Sequence, residues 1–302
     1  MWFIGKSKQQ DNWMKISVFG MGLMGRPIAQ KLAQENYWSI VAYNRTPEKL
    51  EGLADKGLTV TSSPQEAILN NDYLILSLSD GKAIREVLLS DAGISFADKI
   101  VIQMGTIAPE ESKAIAAEIQ RRRGQYLEAP VLGSIPEAKQ GTLLVMVGGE
   151  EKLFQACLPI FQILGKDPQY IGPVGSAAAL KLALNQLIAS LTAAFSLSLG
   201  LIQREGVELE KFMNILRASA LYAPTFDKKL SRMSDRHFAN PNFPTKHLLK
   251  DTHLFLQAAA TAGLNTAGLN GVQKIIEQAI AQNLADTDYS AIYQVVNPPP
   301  TP

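Results

Sequence analysis

Residues 175–206, GSAAALKLALNQLIASLTAAFSLSLGLIQREG, read as one helix of about 30 residues, roughly 45 Å long at 1.5 Å per residue. Alanine, leucine, serine and threonine cover every face, and no charge stands between Lys181 and Arg204. Such a helix is either the buried centre of a protein or a membrane span. Asn185, Gln186 and the interleaved hydroxyl residues, without basic flanking loops, favour burial in protein, so no membrane partner is expected. Lys181 and Asn185 are four apart and share one face. A lone lysine among alanines and leucines needs a partner, a task or a path to solvent. Helix physics alone leaves these open.

The chain has 302 residues, enough for two domains and a sizeable core. Its 29 basic and 28 acidic residues balance, with no long block of one sign, so no nucleic-acid partner is expected. One local run, Arg121-Arg122-Arg123, sits where a helix ends and suits the negative end of its dipole. A single cysteine, Cys157, excludes an intrachain disulfide and suits a reducing compartment. Residues 1–14 lack the apolar run and cleavage site of a signal peptide, and the expected location is cytoplasmic. The proline-rich end, residues 294–302, reads as a tail.

Between these ends the pattern is βα alternation. Residues 15–19 (KISVF) form a strand, followed at once by Gly20-Met21-Gly22-Leu23-Met24-Gly25 and a helix at 26–34. A G-x-G-x-x-G motif between strand and helix lets the backbone turn tightly, approach a pyrophosphate and present helix N–H groups to it. The second strand, 39–43, ends in Asn44-Arg45-Thr46, where an NAD site would carry a carboxylate for the ribose hydroxyl. A guanidinium flanked by neutral donors suits a 2′-phosphate instead, so NADP(H) is the expected cofactor. A helix is expected to open at Pro47, and Asp80 to cap the one after the third strand. Further strands are read at 73–77, 100–103, 125–128 and 144–147. The expected fold is α/β: a doubly wound, mostly parallel (Rossmann) sheet over 15–174, a long connecting helix at 175–205, and a smaller all-α C-terminal domain at 206–293. Gly105-Thr106 and Gly133-Ser134 would stand at the ligand-binding carboxyl edge of the sheet.

These residues resemble the β-hydroxyacid dehydrogenases, relatives of 6-phosphogluconate dehydrogenase. The glycine motif is similar to the family's cofactor signature. Ala129-Pro-Val131 with Gly133, Gly141-Thr-Leu and Met146-Val-Gly-Gly149 are similar to its substrate segment. Gly175 to Asn185 resembles the catalytic G-x5-K-x3-N segment, and Phe243-Pro-Thr-Lys-His-Leu-Leu-Lys250-Asp251 the C-terminal F…KD motif. The Asn44 turn and the Phe243 segment look most like the NADPH-dependent glyoxylate/succinic semialdehyde reductase branch. The resemblance implies a small-molecule substrate, reduced by hydride from the nicotinamide and a proton from Lys181, with Asn185 orienting it. It places Thr106, Leu132, Gly133, Ser134, Phe243 and Asp251 around the substrate. Around the cofactor it places residues 20–25, Asn44, Arg45, Thr46, Leu78, Ser79, Thr106 and Lys250.

Two positions depart from the family pattern. Gly105 and Leu132 stand where the family commonly has serine, and each removes a hydroxyl near the expected carboxylate. The substrate name is therefore open, with other β-hydroxyacid dehydrogenase activities (3-hydroxyisobutyrate or tartronate semialdehyde type), an imine reductase and a non-catalytic NADP-binding module as alternatives. His247, Asp251 and His253 do not share a helix face, so no metal is expected. The absence of G-x-S-x-G argues against a hydrolase. A helical domain this small on a fully apolar helix is expected to bury surface in a homodimer or homotetramer.

Overall fold

The computed structural model describes residues 14–36 and 38–299. All but the last residue of the expected N-terminal extension, and residues 300–302 of the tail, lie outside it. The chain divides into two compact units: one runs to Gly105 and resumes over Lys113–Val174, and the other comprises Thr106–Ser112 and the chain from Gly175 onward.

In chain order the first part carries β1 (Met14–Phe19), α1 (Gly25–Leu32), β2 (Trp38–Tyr43), β3 (Thr59–Thr61), α2 (Pro64–Leu69), β4 (Tyr73–Leu76) and α3 (Gly81–Ile84). It continues through β5 (Ile100–Gln103), α4 (Pro109–Arg121), β6 (Gln125–Glu128), β7 (Val131–Leu132), α5 (Ile135–Gln140), β8 (Leu144–Gly148), α6 (Glu151–Leu164) and β9 (Gln169–Gly172). The strand order is β3-β2-β1-β4-β5-β6-β8-β7, with β9 on β8. Strands β3 through β6 are parallel, with Ile16 opposite both Ile40 and Tyr73. β8 runs antiparallel to β6 and β7 and parallel to β9. The sheet is thus doubly wound and mostly parallel, as expected. Its order reverses between β1 and β4, the switch point beside which such sheets bind ligands.

Local chemistry explains the elements. Ile16, Val18 and Ile75 are fully buried in the sheet and pack with Ile28, Ala29 and Leu32 of α1 and Phe161 of α6. Each such aliphatic side chain contributes about 1.5–3 kcal/mol on burial. Ser63 caps α2, accepting from Glu66 N–H at 3.3 Å, and Asp80 caps α3, accepting from Ala83 N–H at 2.8 Å. The helix expected at Pro47 is instead a 3₁₀ turn at Pro47–Leu50 with a second at Ala54–Lys56. Gly52 and Gly57 both take positive φ there and interrupt the helical path. Strands β3, β7 and β9 escaped the sequence reading because they are two to four residues long and lack apolar alternation.

The second unit is helical: α7 (Ser176–Arg204), α8 (Leu209–Ala218), α9 (Pro224–Ser234), α10 (Thr245–Thr261), α11 (Ala267–Ala281) and α12 (Ile292–Val296). By length and composition α7 could cross a membrane. Here it is the spine of this unit. Ala189 and Ala193 pack with Leu248, Leu269, Ile276 and Ile292, while Phe195 and Leu199 pack with Met213, Phe226, Met233 and Tyr293. α12 reaches Val296, into the stretch read as tail.

Candidate active site

The glycine loop after β1 has the shape that a dinucleotide requires. Gly20 has φ +97°, and a Cβ there would lie 2.5 Å from the Ser77 carbonyl oxygen. A Cβ on Gly25 would lie 1.8 Å from the Gly20 carbonyl oxygen, so α1 approaches the loop as only glycine allows. Gly22 meets nothing within 4 Å, leaving its backbone open to a phosphate. The first turn of α1 carries no acidic side chain to oppose an anion. Met21 is buried, Leu23 is 39 % exposed, and Met24 is the N-cap. These residues fit the pyrophosphate of a dinucleotide.

At the end of β2 the three expected cofactor residues separate in role. Asn44 is buried; its Oδ1 accepts from Met21 N–H at 2.9 Å and its Nδ2 donates to the Thr46 carbonyl at 2.9 Å. It ties the glycine loop to the strand. Arg45 is exposed and pairs at 3.5 Å with Glu86, in the π-helical turn Arg85–Leu89 that continues α3. Glu86 was not foreseen, since the contact joins positions far apart in sequence. Thr46 is exposed, Leu78 lies against Gly20, and Ser79 Oγ donates to Asp80 at 2.9 Å.

The residues expected near a substrate carboxylate are more committed than their sequence suggested. Ser134 caps α5, and both its N–H and its hydroxyl donate to Glu137 Oε2, at 2.8 and 2.7 Å. The S-x-x-E spacing of a capping box was there to be read. Gly133 takes φ +131° ahead of it. Leu132 is half-buried and pairs with Leu144. A Cβ on Gly105 would lie 2.5 Å from the Leu78 carbonyl oxygen, so the β4 loop occupies the space a serine would need.

The strongest constellation lies on α7 and α10. Lys181 is 8 % exposed, Asn185 3 % and Asp251 3 %. Asn185 Nδ2 donates to Asp251 Oδ2 at 2.6 Å, while Lys250 Nζ stands 3.1 Å from Asp251 Oδ1. Lys250 also donates to the Thr106 carbonyl at 2.7 Å, which ties Thr106 to α10. Asn185 Oδ1 is buried without a hydrogen-bond partner among the described residues. A buried orphan acceptor is costly unless a ligand donates to it. Burial lowers the Lys181 pKa from 10.5 to about 8; Asp251 opposes the fall and Lys250 adds to it. Lys181 is therefore poised to give or take a proton near neutrality. Phe243 precedes α10, its ring 6.2 Å from His247. His253, set aside as a metal ligand, contacts Gln273 and Glu277 at the surface.

Comparison with known proteins agrees with both halves of this description. Residues 15–172 match the family described as the NAD binding domain of 6-phosphogluconate dehydrogenase. Residues 175–296 match that described as NAD-binding of NADP-dependent 3-hydroxyisobutyrate dehydrogenase. The chain is 31 % identical over 286 residues to glyoxylate/succinic semialdehyde reductase 1 of Arabidopsis thaliana, covering 94 % of this chain and 98 % of that one. It is 33 % identical over 259 residues to an uncharacterized oxidoreductase of Synechocystis, covering 84 % and 88 %. In structure it resembles Mycobacterium tuberculosis 3-hydroxyisobutyrate dehydrogenase, with a TM-score of 0.85 at 22 % identity over 94 % of this chain and 99 % of that one. A dinucleotide loop, a buried lysine–asparagine pair and two family matches in register lead to one assignment: the chain belongs to the β-hydroxyacid dehydrogenase family of NAD(P)-dependent oxidoreductases.

Proposed function

We infer that this protein is an NADPH-dependent reductase of a small aldehyde or keto acid, with glyoxylate and succinic semialdehyde as its candidate substrates. The observation that carries the reading is Lys181, buried with a pKa of about 8 beside the Asn185–Asp251 hydrogen bond. The nicotinamide, when bound, supplies a hydride to the carbonyl carbon. The Lys181 ammonium donates its proton to the carbonyl oxygen, so one aldehyde, one hydride and one proton become one alcohol. In the reverse oxidation the neutral amine takes that proton back. Asn185 Oδ1, free to accept, receives the alcohol O–H and keeps the oxygen aligned with Lys181. Asp251 holds the Asn185 amide in that orientation.

Preference for the 2′-phosphate rests on Arg45, exposed at the end of β2 with no carboxylate in the Asn44-Arg45-Thr46 turn. The phosphate would take the guanidinium from Glu86. The likeness to the Arabidopsis reductase supports the aldehyde substrate. The occupied space at Gly105 and the apolar side chain of Leu132 favour a less polar substrate, an imine included.

A second copy of the chain is expected to cover the apolar side chains left exposed on the helical unit: Leu197 and Leu201 on α7, Ile215 on α8 and Leu221 beyond it. Light scattering at micromolar concentration should give a dimer or tetramer, and a monomer would refute this. For the reaction, NADPH oxidation is followed with glyoxylate, succinic semialdehyde and a cyclic imine, for wild type and Lys181→Ala. Aldehyde turnover that collapses in the variant supports the reading. Turnover of the imine alone, or an unaffected variant, overturns it.

A further inference from the structure

Away from Lys181, the helical unit contains a buried ion pair that the proposed chemistry does not use. Asp288 is fully buried, and Lys229 of α9 donates to both its oxygens, at 2.8 and 2.9 Å. The Lys229 side chain is 12 % exposed, and its ammonium lies 4.2 Å from the centre of the Tyr289 ring. Ser290 completes the shell, its N–H and hydroxyl donating to Asp288 Oδ1 at 3.1 and 2.7 Å. A pair so enclosed is poor evidence for stability, because desolvating two charges consumes most of their attraction. It does hold a segment in one place.

What it holds is the start of α10. The residue before this helix is Pro244, which has no side chain able to cap it. The first N–H groups, unsatisfied within the helix, are taken by the carbonyls of the 285–287 loop: Thr245 donates to Thr287 at 2.9 Å and Lys246 to Ala285 at 3.0 Å. Thr245 Oγ1 adds a bond to Thr287 at 3.1 Å. Next to this loop, Tyr289 N–H donates to the Phe243 carbonyl at 3.1 Å, Asp288 N–H to the Phe238 carbonyl at 2.8 Å, and the Tyr289 and Phe243 rings meet edge to face at 5.8 Å. Lys250 and Asp251 lie less than two turns farther along the same rigid helix.

We propose that Lys229 and Asp288 are positioning residues for the acid–base centre: their buried pair fixes the start of α10 and Phe243, and through the helix sets Asp251 against Asn185 and Lys181. The proposal rests on the reading of Lys181 as the proton donor. The charges that act on Lys181 are those of Asp251 and Lys250, both on α10. Moving α10 is therefore the route by which Asp288 can reach Lys181.

The test compares Asp288→Asn, the double variant Lys229→Met/Asp288→Asn (neither partner left as a lone buried charge), Lys229→Arg as the conservative rescue, and Met213→Ala. Met213 is buried on α8 and serves as a control for destabilisation alone. The readouts are the pH profile of kcat and an NMR titration of the Lys181 side chain in protein without added ligand. Shifting α10 displaces both the carboxylate that supports the ammonium and the Lys250 charge that opposes it, and changes the burial that lowers the Lys181 pKa. Asp288→Asn and the double variant should therefore move the Lys181 titration away from about 8, by about half a unit or more in either direction. Lys229→Arg and Met213→Ala should leave it in place. If Asp288→Asn does not fold, the double variant carries the comparison. An unmoved titration in the folded charge-removing variants, or an equal shift in Met213→Ala, overturns the proposal. Retained turnover in Lys181→Ala would instead refute the proton-donor reading itself.

Discussion

Replacing Lys181 with methionine should make the protein more stable while abolishing its chemistry. The Lys181 pKa is lowered from 10.5 to about 8 by burial. At about 1.4 kcal/mol per pKa unit, keeping the charge costs the folded state about 3 kcal/mol. Methionine fills a similar volume with an unbranched apolar chain, and such a swap usually costs under about 1.5 kcal/mol. The net gain at pH 7 is therefore about 2 kcal/mol, or a rise in Tm of roughly 4–8 °C for a unit of this size. The sign follows from linkage. Below pH 8 the lysine is charged in both folded and unfolded chains, so the penalty is present in full. Between about 8 and 10.5 the folded state loses its proton first, and the penalty fades. Urea unfolding of both proteins at pH 7 and pH 10.5 measures this directly. A variant less stable than wild type at pH 7 refutes the reasoning. So does a gain of equal size at both pH values, which would be packing rather than charge.

The same titration governs turnover: reduction should fall as pH rises through about 8, and oxidation should fall as pH drops through it, in steady-state profiles of kcat in each direction. Arg45→Ala should weaken NADPH binding about 10- to 100-fold by calorimetry, the loss of a charged hydrogen bond of about 1.5–3 kcal/mol, while leaving NADH binding nearly unchanged. The two later glycines of the loop should behave differently. Gly22→Ala, with open space around it, should keep the wild-type Tm and lose dinucleotide affinity. Gly25→Ala, whose methyl would meet the Gly20 carbonyl oxygen at 1.8 Å, should lower Tm as well.

Much of the architecture was legible because it is local. Strand β1, the glycine motif and the start of α1 fall within a few residues of one another; short apolar runs marked β2, β4, β5 and β6, and a long uncharged apolar stretch marked α7. The two-residue β7 and three-residue β3 were not legible, since their strand character comes from the neighbours they pair with. In the candidate site, Lys181 and Asn185 could be placed on one helix face from their spacing. Their electrostatic setting could not.

By itself the sequence determined the doubly wound sheet, the glycine-loop dinucleotide site, the long apolar helix and the family, because each is written in residue type and short-range spacing. Tertiary structure alone decided which polar groups meet. It set Asp251 on Asn185 across 66 positions of chain, Glu86 on Arg45 across 41 and Lys229 on Asp288 across 59. It also put the Leu78 carbonyl in the space beside Gly105. Partnership at that range depends on how packed helices and strands bring distant residues together, and burial, which sets the charge on Lys181, exists only once they have done so.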